Sequence, residues 1–129
     1  MDTCFNALLL DAERGLRATP KGAEIDVRLP WYRSLPVSVV EVGSLKVDSQ
    51  DVPSSEIRFE INGKSFELHE LPAQSGEFWF VLDATVLRLP GVHLQPGTDH
   101  DVELQLNLYP PYVPHLKWVT KVRKTLRAR

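Results

Sequence analysis

An alternation of apolar and polar residues recurs along the chain and predicts β-strands. In Glu24–Leu29 every second residue is apolar, which is the period of a strand with one buried and one solvent-exposed face. Val102–Leu108 alternates in the same way over a longer stretch. Ile57–Ile61 also alternates, and the Asn62-Gly63 pair that follows favours a tight hairpin turn because both turn residues need a positive φ. These patterns indicate an antiparallel β-protein.

Other segments give less regular signals. Val37–Val47 predicts a strand that is interrupted at Gly43 by a β-bulge. Phe78–Leu82 is apolar throughout, which predicts a central strand covered on both faces. Residues 117–126 combine helical spacing with good strand formers, and we favour a strand. Leu8–Arg17 predicts a short helix, although a glycine interrupts it.

The turn residues and the composition extend this prediction to a fold class. The chain has 129 residues, of which 43% are hydrophobic and 25% charged, as in ordinary soluble domains. Most of the ten prolines lie at the ends of predicted strands, where a missing N–H does no harm to the sheet. We therefore expect an all-β fold, a β-sandwich of about eight or nine short antiparallel strands that forms a single domain over residues 1–129.

The same composition limits the cellular setting. No apolar run is long enough to span a membrane, and the first residues lack the basic region of a secretory signal. The single cysteine, Cys4, excludes an internal disulfide and suits a reducing compartment. We expect a cytoplasmic protein with no membrane partner.

The formal net charge of −2 conceals a basic C-terminal segment. Residues 117–129 contain six basic residues and no acidic one. The simplest interpretation is a solvated last element, followed by pairing with an acidic partner or with the chain's own acidic body. Nucleic acid is the least favoured partner, because base-stacking aromatic residues are not interleaved with these charges, and we expect none.

Few residues suggest catalysis. Glu24 and Asp26 lie two residues apart on one strand face, where a hydrolase could use paired carboxylates, but a solvated face is the simpler interpretation. Cys4 has no histidine nearby in sequence that could activate its thiol. His93 and His100 flank a Pro-Gly turn and could meet across a hairpin.

Asp99 and Asp101 bracket His100, so this region could hold a metal ion weakly. A polar hairpin loop remains the simpler interpretation of the same residues, and we expect no metal site on this chain.

Two proline-bounded aromatic segments stand out instead, Leu29–Pro36 and Leu108–His115. Tryptophan, tyrosine and arginine dominate interface hot spots because they bury large areas and still form hydrogen bonds. These side chains could cap the core, contact a partner or bind a ligand directly. The candidate residues for a partner interface or a pocket wall are Trp31, Tyr32, Arg33, Tyr109, Tyr112 and His115.

The first of these segments also carries a family resemblance. Ile25–Arg33, with the sequence Ile-Asp-Val-Arg-Leu-Pro-Trp-Tyr-Arg, resembles the small (beta) subunit of bacterial C-glycoside deglycosidases. The resemblance extends over residues 14–126, and its milder matches are Leu45–Asp48, Ile57–Phe59 with Asn62-Gly63, Phe78–Asp83, Leu106 with Leu108, and Pro111–Pro114.

The resemblance implies a β-sandwich subunit without catalytic residues or a cofactor of its own. It also implies a larger TIM-barrel alpha subunit that holds a divalent metal of the Mn or Mg type and the acid and base groups. Such a complex would cleave the C–C bond between a 3-oxo sugar and a flavonoid-type aglycone by elimination. The alternatives from the residues alone are a carbohydrate- or polyphenol-binding module and a hydrolase that uses Glu24, Asp26 or the His100 region.

Overall fold

The structure is a computed structural model that describes residues 9–11 and 14–129. Within those residues the chain forms eleven strands and three short 3₁₀ helices. The helices are Val37–Val39, Ser54–Glu56 and Leu68–Ala73. The strands are β1 (Leu16–Thr19), β2 (Gly22–Arg28), β3 (Leu35–Pro36), β4 (Val40–Val47), β5 (Gln50–Asp51), β6 (Arg58–Ile61), β7 (Lys64–Glu67), β8 (Phe78–Trp79), β9 (Ala84–Leu89), β10 (Asp99–Leu108) and β11 (Trp118–Arg127).

The strands make two main antiparallel sheets that face each other across one core. One sheet has the order β1-β2-β9-β6-β7 and the other the order β11-β10-β4-β5, while β3 and β8 form a separate two-stranded ladder. The apolar residues of the alternating segments point inward; Ile25 and Phe59 from the first sheet and Leu104 and Leu106 from the second are at most 2% exposed. This arrangement confirms the predicted all-β, sandwich-like fold.

Three local predictions are confirmed by the backbone. Asn62 and Gly63 form the hairpin turn between β6 and β7, with φ angles of 53° and 76°. The pairing of β4 with β10 skips Gly43, since Ser44 lies opposite Gln105 and Val42 opposite Leu106, so the bulge is present. The ambiguous segment near the end of the chain is the strand β11.

The prediction of a doubly covered strand over Phe78–Leu82 is wrong. Only Phe78 and Trp79 pair, as β8, and the ladder extends no further than Leu35 and Pro36 of β3. The chain then turns, with the Asp83 N–H donating to the Phe80 carbonyl at 2.9 Å. The sandwich covers this segment on one side only, so Phe80 and Leu82 are 52% and 82% exposed.

The predicted helix over Leu8–Arg17 is wrong at its end, because Leu16 and Arg17 belong to β1, whereas Leu9 is helical. Its first residue and residues 12 and 13 lie outside the described part of the chain, as does Cys4. None of the described helices has the length and apolarity needed to cross a membrane.

Trp79 anchors the segment that leaves the sheet. Its side chain is 0% exposed and meets the ring of Phe59 edge to face, with 5.7 Å between the ring centroids. The indole N–H donates to the Asp83 carbonyl at 2.9 Å, so the ring is buried without leaving a polar group unpaired. The Val81 N–H donates to the Ser34 hydroxyl at 2.8 Å and ties the following residues to the loop before β3.

We predict opposite consequences for truncating Trp79 and its neighbour Phe80. Trp79→Ala should lower the free energy of unfolding by about 3–5 kcal/mol because it leaves a cavity in the core. Phe80→Ala should change it by less than about 0.5 kcal/mol, because that ring faces solvent. Urea denaturation of the two variants and the wild type measures both values, and equal losses would contradict the assignment of Trp79 as the anchor.

Candidate functional site

Tyr112 joins the two proline-bounded aromatic segments. The Trp31 indole N–H donates to the Tyr112 hydroxyl across 81 positions of sequence. The Arg33 guanidinium lies over the Tyr112 ring, 4.9 Å from its centroid, in a cation–π contact. The Tyr32 hydroxyl also forms a hydrogen bond with Tyr112. Three consecutive residues of one loop thus meet a single side chain of the other, and we call Trp31, Tyr32, Arg33 and Tyr112 the aromatic cluster.

The aromatic cluster has a buried base and an exposed top. Trp31 is only 8% exposed and packs edge to face on Trp118 of β11, with 5.3 Å between centroids. Tyr32 and Tyr112 are 59% and 43% exposed. Trp31 therefore supports the surface from beneath, while the two tyrosine rings and the Arg33 guanidinium face solvent.

The contact between the two tyrosine hydroxyls changes the acidity of Tyr32. The hydrogen bond to Tyr112, helped by partial desolvation, raises the pKa of the Tyr32 hydroxyl above its ordinary value. The neighbouring Arg33 acts in the opposite direction but more weakly. Tyr32 therefore stays neutral at physiological pH and can donate or accept a hydrogen bond at the surface.

The remaining two candidates, Tyr109 and His115, lie apart from the aromatic cluster. The Tyr109 hydroxyl donates to the Glu41 carboxylate at 3.1 Å, which directs it toward β4. His115 is exposed, adopts a φ of 63° and lines a shallow depression with Tyr109. Among the described residues, no hydrogen bond or ring contact joins either side chain to the cluster.

The candidate carboxylates Glu24 and Asp26 are held by arginine residues of neighbouring strands. Arg17 of β1 binds Asp26 through both terminal nitrogens, at 2.8 and 2.9 Å, and reaches Glu24 at 3.2 Å. Arg88 of β9 binds the other oxygen of Glu24 at 3.0 Å. Both carboxylates are thus already bound by guanidinium groups of the chain itself. This geometry suits a structural ion-pair network better than hydrolysis.

His100 takes part in a chain of hydrogen bonds at the start of β10. Its Nδ1 lies 2.7 Å from the Asp48 carboxylate and its Nε2 lies 2.6 Å from the Thr98 hydroxyl. The order Thr-His-Asp resembles a nucleophilic triad, but the Thr98 hydroxyl donates its proton to the Gln95 carbonyl at 2.6 Å. The Thr98 hydroxyl therefore has a backbone carbonyl within reach as well as the imidazole, so it is not committed to His100 as a nucleophile would be to its base.

The other acidic groups near His100 also have partners. Asp101 binds Arg123 at 3.1 Å and the Thr125 hydroxyl at 2.9 Å, and these bonds lower the pKa of its carboxyl group. Asp99 binds Arg127 at 3.1 Å. Within residues 9–11 and 14–129, no three histidine, cysteine, aspartate or glutamate side chains are grouped so that they could hold a metal ion.

These pairs also explain the basic C-terminal segment. Arg123 and Arg127 of β11 face acidic residues of the adjacent strand β10. Lys124 donates to the Leu10 carbonyl at 2.9 Å. The segment is therefore mostly a strand, and two of its six basic residues, Arg123 and Arg127, pair with the chain's own acidic residues.

Two contributors to these arrangements were not identified from the sequence. Trp118 supports Trp31, and Arg17 binds both candidate carboxylates. The signal for Arg17 was available, because in a β1–β2 hairpin its side chain lies on the same face as those of Glu24 and Asp26. No local signal marks Trp118, since its partner is far away in sequence.

Fold and site together define an all-β protein with a solvent-exposed aromatic cluster. The family model of the C-glycoside deglycosidase beta subunit matches residues 13–112. A C-glycoside deglycosidase beta subunit of Microbacterium trichothecenolyticum is 37% identical over 98 residues, covering 76% of this chain and 74% of the relative. A 3'-dehydrocarminate deglycosidase beta subunit of a Microbacterium species is 37% identical over 99 residues, covering 77% and 74%.

A C-glycoside deglycosidase beta subunit of Arthrobacter globiformis is 36% identical over 102 residues, covering 78% of each chain. The chain belongs to the C-glycoside deglycosidase beta subunit family. This membership confirms the resemblance seen in Ile25–Arg33 and agrees with the sandwich-like fold.

Replacing Tyr112 by phenylalanine tests the hydrogen bonds of the aromatic cluster. Tyr112→Phe removes the hydroxyl that raises the pKa of Tyr32, so Tyr32 should titrate at a lower pH than in the wild type. Site-resolved NMR of carbon-labelled tyrosine follows this titration, and Tyr109→Phe serves as the control. An unchanged Tyr32 titration in Tyr112→Phe would show that the two hydroxyls do not interact.

Proposed function

We propose that this chain is the non-catalytic beta subunit of a heteromeric C-glycoside deglycosidase. The observation that carries the proposal is its similarity, at 37% identity over 98 residues, to a protein named as such a beta subunit. The pairing of Glu24, Asp26 and His100 with neighbouring side chains supports a structural role for the groups that could otherwise have served catalysis.

The proposed partner is a larger TIM-barrel alpha subunit that contains the acid and base groups. A divalent metal of the Mn or Mg type in that subunit would stabilise the enolate oxygen of the reacting sugar. The proposed reaction is an elimination from a 3-oxo-C-glycoside of flavonoid type. The ketone acidifies the adjacent C–H, a base removes that proton, and the electron pair expels the aglycone carbon, which takes up a proton through its phenol.

The aromatic cluster is the proposed point of contact on this chain. Tyr32, Tyr112 and Arg33 present two rings and a guanidinium on a base fixed by Trp31 and Trp118. A rigid base lowers the entropy cost of association, since the exposed side chains are already held by one another. The cluster would stabilise the alpha subunit or form a wall at the mouth of its pocket.

The same geometry favours one second candidate, a carbohydrate- or polyphenol-binding module. Exposed tyrosine faces beside an arginine suit stacking with sugar or flavonoid rings. Titration calorimetry of the isolated chain with C-glycosides and their 3-oxo forms separates the two functions. Binding by the isolated chain that Tyr32→Ala abolishes would support the module.

We predict that deglycosylating activity requires the alpha subunit. The isolated chain should leave a 3-oxo-C-glycoside intact, and the co-purified complex should release the aglycone, which chromatography of the reaction mixture measures. Cleavage by the isolated chain would contradict a non-catalytic role.

Glu24→Gln and Asp26→Asn provide the control for the hydrolase alternative. Both side chains keep their size and lose their charge, so complexes that contain either variant should keep wild-type activity within about twofold. A loss of activity in a complex that still assembles would indicate that these carboxylates take part in catalysis.

We also predict that the exposed part of the aromatic cluster contributes to assembly. Tyr32→Ala should weaken association with the alpha subunit while leaving the free energy of unfolding within about 0.5 kcal/mol of wild type. Val119→Ala is a suitable control, because Val119 is 44% exposed on β11 and lies outside the cluster. Equal affinities of the two variants would remove Tyr32 from the interface.

A further inference from the structure

One short segment, made of strand β8 and the turn that follows it, exposes three large apolar side chains. Phe78, Phe80 and Leu82 are 42%, 52% and 82% exposed, whereas Trp79, between Phe78 and Phe80, is fully buried. Single exposed apolar residues are ordinary on a protein surface, but several large ones close together in one segment are typical of an interaction site. We call Phe78, Phe80 and Leu82 the apolar row.

The backbone of the apolar row is held by side chains from other elements. Asn62, at the hairpin tip, donates to the Phe78 carbonyl at 2.9 Å. Arg28, at the end of β2, donates to the Leu82 carbonyl at 2.7 Å. With the bond from Val81 to Ser34 and the anchor Trp79, these contacts fix the segment, so its exposed face is preorganised for binding.

The apolar row continues into the aromatic cluster. β3 and β8 pair antiparallel, with Leu35 opposite Trp79. The hydrogen bond of Val81 to Ser34 extends this contact toward the loop that contains Tyr32 and Arg33. The exposed rings of the row and of the cluster therefore belong to neighbouring segments of one region.

In the part of the chain that the structure describes, two arginines beside this region lack the carboxylate partners that several other arginines of the chain have. Neither Arg28 nor Arg33 forms an ion pair with a carboxylate of the described residues. Arg28 binds the Leu82 carbonyl, and Arg33 contacts the Tyr112 ring and the Tyr32 hydroxyl. Several other arginines do form such pairs, namely Arg17, Arg58, Arg88, Arg123 and Arg127. Two guanidinium groups without carboxylates beside exposed apolar side chains would complement a partner surface that is apolar and bears carboxylates.

We propose that the apolar row, flanked by Arg28 and Arg33, is the surface on which the alpha subunit docks. This inference rests on the proposed function, because it assigns the occupant through the beta-subunit family. Phe78–Leu82 has the composition of a strand covered on both sides. The core of this chain covers the Trp79 side, and the alpha subunit would cover the other.

A second copy of this chain fits the region less well. A symmetric dimer uses the same patch on both copies, so it would bring the arginines of one copy toward those of the other. Like charges at the edge of an apolar contact oppose the association of two copies. Carboxylates on a different subunit would instead favour its binding to this surface.

The double variant Phe80→Ser/Leu82→Ser tests the docking surface. Its dissociation constant for the alpha subunit, measured by titration calorimetry, should rise at least about tenfold relative to wild type. Val119→Ser is the control for removing an exposed apolar side chain elsewhere, and its constant should stay within about twofold of wild type. Urea denaturation should show unchanged stability in both variants.

Each other outcome overturns a different statement. If the wild-type chain binds the alpha subunit and the double variant binds equally well, the docking surface is wrong and the proposed function stands. If the wild-type chain forms no complex, both are wrong. If sedimentation shows the isolated wild-type chain to be a dimer that the double variant dissolves, the row is a self-association surface and the assignment to the alpha subunit fails.

The charge of the partner surface is tested separately. Arg33→Glu should weaken association with the alpha subunit more than Lys117→Glu does, and the difference should shrink as salt is added because salt screens exposed charges. Equal effects of the two variants at low salt would contradict a partner surface that bears carboxylates opposite Arg33.

Discussion

The burial of one tryptophan determines how this molecule presents its surface. Trp79 fills the core against Phe59 and satisfies its indole N–H within its own turn. Because successive side chains of an extended segment point in opposite directions, fixing Trp79 inside leaves Phe78 and Phe80 outside. The burial of Trp79 thus determines which apolar side chains of this segment face solvent. The same segment holds the loop of the aromatic cluster through Ser34, so both candidate surfaces depend on this anchor.

Tyr112 has the corresponding role for the aromatic cluster. It accepts a hydrogen bond from Trp31, exchanges one with Tyr32 and lies under the Arg33 guanidinium. Two loops that carry no regular secondary structure at these positions are thereby fixed to each other. Prolines restrict the backbone of both loops, and the shared tyrosine restricts their side chains, so little entropy remains to be lost when a partner binds.

The fold is predictable from the alternation of apolar and polar residues. The contacts of the candidate site are not, because they join segments that are far apart in the sequence. The inward faces of β2, β6 and β10 follow from their period of two, and Asn62-Gly63 and Gly43 mark a turn and a bulge that local chemistry requires. The prediction for Phe78–Leu82 is wrong because an apolar run indicates that both faces are suited to burial. It does not show whether this chain or another molecule buries them. Residue type alone identifies the six candidates, but which of them contact one another depends on contacts across 81 positions, such as that of Trp31 with Tyr112.

The arrangement of charges separates the parts of this chain that stabilise its own fold from those left for another molecule. Glu24, Asp26, Asp99 and Asp101 each have an arginine partner on an adjacent strand, so these carboxylates hold the sheets together at their exposed faces. Exposed ion pairs of this kind add little stability individually, but they occupy groups that would otherwise attract ligands. Among the described residues, Arg28 and Arg33 have no carboxylate partner of this kind; Arg28 binds the carbonyl of the exposed Leu82, and Arg33 lies over the exposed Tyr112 ring. A chain in which these four carboxylates have arginine partners, while two guanidinium groups without carboxylate partners within the described residues lie beside an apolar surface, is suited to binding another protein surface. That is the physical basis for proposing that it has a supporting role beside a catalytic subunit.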